Sequence, residues 1–317
     1  MESFGLAVNV VFPLLLMMAC GCFMRYRKMI DDHTINYLNK MLFRFFMAVM
    51  LFMNTYKMNL EDVLNPQIRK LTLIITICYV FIVTVLIMIL PKFVTDRSKC
   101  GVMIQGFYRS NLILYGLPVF ESIYGSDDSG MVSVLISVII PVINILSAIV
   151  LEIFGSSGGR LSFRKILKSV VLNPLVQGPV VGLLFLVLGI HFPKILEDSL
   201  RTIGGISTPL AFVVLGATIQ LKSIRKNWKY ISFTVLGKLF IVPLIVFIVC
   251  YCLGMRRQML VMVLGAMASP TAVASFAMAK EAGCDEELAG EIVMASSVCS
   301  LFSIFAWVFF LGTFRGI

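Results

Sequence analysis

Charge is scarce in this 317-residue sequence: Asp, Glu, Lys and Arg together make up 14% of it, against about 25% in a soluble domain. Histidine is scarcer still, with only His33 and His191, and the 8 cysteines form no Cys-x-x-Cys pair. Both absences argue against a zinc centre. Five of the thiols (Cys20, Cys22, Cys78, Cys250, Cys252) fall inside apolar runs and read as small packing residues. Acidic residues are missing from the middle of every apolar run, Glu152 and Glu291 being the most embedded. Cation/proton exchange generally works through an acid at mid-membrane, so that chemistry is disfavoured. A catalytic constellation is missing too. Asp31-Asp32 is the inner-side carboxylate pair, and no metal-binding repeat or histidine cluster accompanies it, so the chain does not read as an enzyme.

What the sequence has in excess is apolar surface. Hydrophobic residues are 59% of the chain, and its mean hydropathy is +0.96. They fall in long runs with few charges, which is the pattern of bilayer-spanning helices. Ten spans are expected near 5–24, 35–54, 70–90, 100–120, 131–152, 169–190, 200–220, 230–253, 257–280 and 288–312. The connections are short, leaving no room for a soluble domain. The first apolar run has no basic stretch before it, while Arg25, Arg27 and Lys28 follow it. It therefore reads as a first transmembrane helix with an outside N-terminus, not as a cleaved signal peptide. With that orientation, Lys and Arg favour the inner loops by about two to one, which puts both termini outside the cytoplasmic membrane. The net charge of +10 is thus a loop charge facing the lipid bilayer, and no nucleic-acid partner is implied.

A Gly/Ser-rich and then basic linker at 155–168 divides the spans five and five. An odd number per half inserts the second half upside down. The expected architecture is therefore all-α and integral to the membrane, with one five-helix repeat over 1–154 and an inverted one over 169–317. Span 4 carries YGLPVF (115–120) and span 9 carries ASPTAV (268–273). Pro118 has no N–H and disfavours helix at Leu117, so the backbone near Gly116 should unwind, and Ser269-Pro270-Thr271 repeats the situation. Breaks at corresponding positions of two halves are the best sequence pointer to a transport site.

Arg109 and Lys238 each lie about ten residues into a span, roughly 15 Å at the helical rise and so near the middle of the hydrocarbon. Neither has an acidic partner at its own depth. Each must face a water-filled cavity, the carbonyl ends of half-helices, or an anionic ligand. Arg44, close to Lys40, can snorkel to the inner surface. Near the breaks stand Gln105, Ser110, Asn111, Ser269, Thr271 and Ser275, neutral groups that suit an organic solute and, with unwound carbonyls, sodium. Gly178 and Gly182 form a small-residue pair that lets helices approach closely.

Four segments carry a family resemblance. SNLILYGLPVFESIYG (110–125), LNPLVQGPVVGLLFLVLGIHFP (172–193), TPLAFVVLGATIQ (208–220) and SPTAVASFAMAKEAGCDEELAGEIV (269–293) resemble, in order, segments of auxin efflux carrier family transporters. The resemblance implies ten helices in two inverted repeats with spans 4 and 9 crossing as broken helices. That fold is shared with sodium/bile acid symporters and sodium/proton exchangers. It also implies a carrier of organic anions (malate, malonate or auxin-like weak acids), elevator-like movement of one half against another, and a homodimer. Carried over by position, Asn111, Pro118 and the Ser269-Pro270-Thr271 break would line the substrate site. The sequence departs from the family where Leu112 stands in place of a common Thr, and where 43–52 lacks a Pro. The expectation is a secondary carrier of small organic anions, needing no cofactor and coupled, if at all, to Na+ or H+. Its substrate would meet Arg109, Asn111, Gly116, Pro118, Lys238, Ser269, Pro270 and Thr271. The alternative is a sodium-coupled symporter of larger, bile acid-like anions.

Overall fold

The computed structural model describes residues 2–58, 66–112, 115, 120, 129–155, 163–218, 221–255 and 258–313. Those residues are almost wholly helical. Helix α1 runs Glu2–Tyr26, and α2 (Asp32–Met41) continues through a π turn (Leu42–Phe46) into α3 (Met47–Tyr56). Then come α4 (Pro66–Ile89), α5 (Arg97–Tyr108), α6 (Ser129–Phe154), the short α7 (Phe163–Val171) and α8 (Pro174–Val187). Helix α9 (Lys194–Gly205) is followed by α10 (Ser207–Thr218), and α11 (Leu221–Leu236) passes through a second π turn (Gly237–Ile241) into α12 (Val242–Cys252). Helices α13 (Gln258–Ala268), α14 (Ala274–Glu281) and α15 (Glu286–Thr313) complete the described chain.

Local chemistry explains several starts. The Asp31 side chain accepts from the Thr34 N–H at 2.8 Å to cap α2, and Asp96 accepts from the Lys99 N–H at 3.2 Å to cap α5. Asn173 caps α8 at 2.9 Å with Pro174 in the first helical position. Among the described residues five helical stretches are long and apolar enough to cross a bilayer: Asp32–Tyr56, Ile68–Lys92, Lys194–Thr218, Arg225–Cys252 and Glu286–Leu311. Shorter apolar helices cover Phe12–Tyr26, Val138–Phe154, Pro174–Val187 and Met259–Ala268.

Two groups of helices pack face to face. In the first, α1 lies along α10, and α3 lies against α8 and α9. Small residues set these approaches. A Cβ on Gly216 would fall 2.0 Å from the Met18 carbonyl oxygen, and one on Gly21 would fall 2.0 Å from that of Val213. The Gly178/Gly182 pair serves the same purpose: added Cβ atoms would meet the Ala48 and Phe52 carbonyl oxygens at 2.5 and 2.6 Å. These glycines therefore act in packing, as interhelical contact in lipid requires. In the second group, α4 and α5 pack on α6, α12 packs on α13, and α15 gathers α11, α14 and α5. The α1–α15 and α6–α8 contacts join the groups.

Replacing Gly216 with Ala is expected to force α1 and α10 apart, at a cost of about 1–3 kcal/mol, as for other overpacked sites. The thermal midpoint of detergent-purified protein should fall. Gly205→Ala, where an added Cβ meets nothing within 4 Å, is the matched control, and equal midpoints for the two variants would contradict the assignment.

Candidate functional site

The second group of helices is organised around two interruptions that meet. Helix α5 stops at Tyr108 because Arg109 turns extended, with φ −73° and ψ 104°. Helix α13 stops at Ala268, and α14 does not begin until Ala274. Across the gap the two strands of backbone run antiparallel. The Asn111 N–H donates to the Pro270 carbonyl at 2.9 Å, the Ala272 N–H donates to the Arg109 carbonyl at 3.1 Å, and Ser110 bridges Thr271. Further bonds secure the second break. The Thr271 hydroxyl donates to the Gly106 carbonyl at 3.0 Å, and its N–H donates to Ser296 Oγ of α15 at 3.1 Å. Unwound backbone at membrane depth must find partners within protein, water or ligand. Here each break supplies the other.

Helices α5 and α13 both end at this crossing, so their carbonyl ends bring partial negative charge to one place. Lys238 answers it. Its ammonium donates to the carbonyls of Tyr108 (3.3 Å) and Met267 (3.1 Å), and to Ser110 Oγ, while the residue is fully buried. The second π turn sets up this reach. Gly237 admits the Phe107 ring where a Cβ would fall 1.9 Å from its edge, and Trp307 Nε1 donates to the Leu239 carbonyl at 2.8 Å. Single π turns inside α-helices frequently mark functional sites.

Arg109 points elsewhere. Its guanidinium donates to Ser147 Oγ and to Asn144 Oδ1, each at 2.8 Å, and its Nε has no partner among the described residues. Asn144 is itself held by donation to the Leu175 carbonyl at 3.1 Å, and Tyr108 Oη lies 2.9 Å from Ser147 Oγ. The cation is 4% exposed and has only neutral acceptors among the described residues. Beside it opens a cavity of about 290 Å³, walled by the first break, by Ala272–Ala274, and by α3, α6, α8, α9 and α10. Two further buried polar atoms without partners among the described residues, Asn54 Nδ2 and Ser207 Oγ, belong to residues of its wall. Arg201 stands at the wall too, exposed and 3.3 Å from Asp198. Among the described lining residues none is acidic. The site offers hydrogen-bond donors and positive charge, together with the N-terminal end of α14.

The structure brings Arg109 and Asn111 to the cavity wall. Ser269, Pro270 and Thr271 form the break that frames it without lining it, and Lys238 lies behind the crossing. Gly116 and Pro118 fall outside the described residues. The described interruption of span 4 is at Arg109–Asn111, five to seven residues ahead of Gly116 in the sequence and paired with 270–272. Sequence reading missed Asn54, Asn144, Arg201 and Ser207. Asn144 had a signal, since an amide inside VIIPVINILSAIV (138–150) needs a polar partner in lipid. Arg201 reads as an outer-loop residue from its neighbours, yet it belongs to α9.

A family model described as membrane transport protein matches residues 6–308. The uncharacterized transporter YfdV of Escherichia coli K12 is 21% identical over 277 residues, which is 86% of this chain and 87% of that protein. The YfdV proteins of Escherichia coli O157:H7 and Shigella flexneri match to the same extent. A match over nearly the full length, on apolar helices gathered about a buried polar crossing, places the chain in the membrane transport protein family, that of the auxin efflux carriers.

Proposed function

We propose that this transporter is a secondary carrier of small organic anions, with carboxylates bound beside the crossing of the two breaks. The observation that carries the reading is Arg109: a buried guanidinium on a cavity wall, with neutral partners and an Nε that has no partner among the described residues. A lone cation at such depth is costly, and a carboxylate would supply both the missing charge and the missing acceptor. Asn111, Asn54 Nδ2 and Ser207 Oγ add hydrogen-bonding groups, and the N-terminus of α14 adds its dipole. A cavity of about 290 Å³ sits at the lower end of the range for small-molecule sites, which favours small carboxylates over bile acid-sized ones.

The arrangement we favour has ten spans in two inverted repeats, with the α5 and α13–α14 breaks in matching positions and the basic loops on the cytoplasmic face. Pairing of 109–111 with 270–272 is the support for that symmetry. The α1/α3/α8/α9–α10 group would act as the frame, and the group bearing the crossing would move against it. Such movement is alternating access of the elevator kind.

Purified protein in liposomes should take up labelled malonate or malate saturably, each competing with the other, with sodium and proton gradients imposed in turn to identify the coupling ion. Indole-3-acetate and taurocholate complete the panel. Sodium-dependent uptake of taurocholate alone would favour the larger-anion symporter. Uptake of none of the four, by protein that remains monodisperse, would overturn the anion reading.

A further inference from the structure

A second cavity of about 670 Å³ lies next to the first. Four elements contribute to both: the α2–α3 rod, α6, the start of α8, and α14. On the α2–α3 rod the second cavity takes Arg44 where the first takes Met47 to Asn54. On α6 it takes Ala148 to Glu152 where the first takes Ile140 to Asn144. At the start of α8 it takes Leu172 to Pro174, one step before Leu175, and on α14 it takes Met278 and Lys280, beyond Ala274. The two spaces therefore lie end to end along one seam between the helix groups. Asn144 and Ala148 are four residues apart, about 6 Å at the helical rise. Within that interval stand Asn144 and Ser147, the two residues that hold Arg109. The partition between the cavities is the floor of the anion site.

The second cavity lies toward the α2 end of the α2–α3 rod, the end whose first turn carries Asp32, paired with Arg25, and which is taken as the basic face. One ion pair crosses it from group to group: Arg44 donates from Nε and a terminal nitrogen to Glu281 Oε1, at 3.1 and 2.6 Å. The Arg44 side chain is 64% exposed, so the pair is of the weak, easily broken kind. Lys280, beside it, is occupied by Glu286 at 2.6 Å. We infer that the second cavity is the vestibule through which the carboxylate reaches the basic face, closed in this conformation by an Arg44–Glu281 latch. Arg44 meets the anion once Glu281 has released it. The vestibule rests on the carrier reading above, whereas the latch can be tested without it.

The test uses Ala148→Cys, at a buried position on the vestibule wall. A charged, membrane-impermeant thiol reagent is applied from the basic face, and labelling is counted above that of the parent with its 8 native cysteines. Glu281→Gln should raise the labelling rate about fivefold, the scale of an exposed ion pair, and the Arg44→Glu/Glu281→Arg exchange should return it to the starting rate. Malonate should slow labelling in Glu281→Gln and lose that effect when Arg44→Gln is added. Labelling indifferent to Glu281→Gln, or not restored by the exchange, would overturn the latch even if uptake proceeds. Labelling that responds to the latch, with no carboxylate slowing it and none transported, would instead overturn the anion reading and the vestibule with it.

Discussion

Arg109→Gln is expected to weaken carboxylate binding by about 30-fold or more and to abolish measurable uptake, while the purified protein stays folded. The magnitude follows from truncating a buried, hydrogen-bonded charge contact, about 2 kcal/mol at the low end, at about 1.4 kcal/mol per factor of ten. Folding should survive because the guanidinium's bonds among the described residues go to Ser147 and Asn144, and the crossing is held by backbone pairs at 109–111 and 270–272. A glutamine keeps a donor near those acceptors and removes the cation. Arg109→Lys keeps the charge but loses the planar fork that reaches two acceptors at once, so it should recover only part of the affinity. Asn144→Leu tests the positioning: it leaves the cation and removes the acceptor that orients it, and should raise the apparent Kd less than Arg109→Gln does. Calorimetry or scintillation proximity with labelled malonate reads all three. Equal affinity in Arg109→Gln and the parent would remove the guanidinium from the site and leave the cavity without its central argument.

Much of this was visible in the residues because lipid allows few solutions. Apolar runs with basic connections had to become helices, and interruptions inside them had to be satisfied locally. The Ser269-Pro270-Thr271 break is found where proline chemistry places it, since Pro270 cannot donate and its carbonyl is taken by Asn111. The interruption at Arg109–Asn111, ahead of the Gly116-Pro118 segment that lies outside the described residues, is beyond the reach of that reasoning. Proline marks where helix is difficult, but α5 ends at Tyr108 because Arg109 to Asn111 gain backbone partners from a segment about 160 residues away. No local signal announces a tertiary partner. The same limit applies to the two buried cations. At equal depth and with no acid nearby, sequence leaves the same alternatives open for both. Their partners differ because Lys238 leaves a π turn aimed at two helix ends, whereas Arg109 leaves an extended residue beside an open wall. Asn54 and Ser207 could not be found from sequence at all, because their polar atoms matter only through the cavity that other helices close around them.

Lys238→Met is expected to act on stability before it acts on affinity. Methionine keeps most of the length and the apolar stem, but it withdraws the donor that the Tyr108 and Met267 carbonyls share with Ser110. The Met267 carbonyl left unpaired in a dry interior costs about 1–3 kcal/mol, the Tyr108 carbonyl keeps only a long bond from Ser110 Oγ at 3.4 Å, and the facing ends of α5 and α13 also lose the charge that offsets their dipoles. The sum is large for one side chain. The thermal midpoint in detergent should drop by several degrees, and membrane yield should drop with it. The fraction that remains folded should bind malonate within about threefold of the parent, since two intact backbone bonds still align Arg109 and Asn111 with the second break. Ser110→Ala separates the contributions, because it removes one of the three acceptors and leaves both helix ends bonded to the ammonium. Its loss of stability should be the smaller of the two. A Lys238→Met protein with the parent's midpoint and no malonate binding would reverse the assignment, making Lys238 the substrate's counter-charge and Arg109 the structural cation.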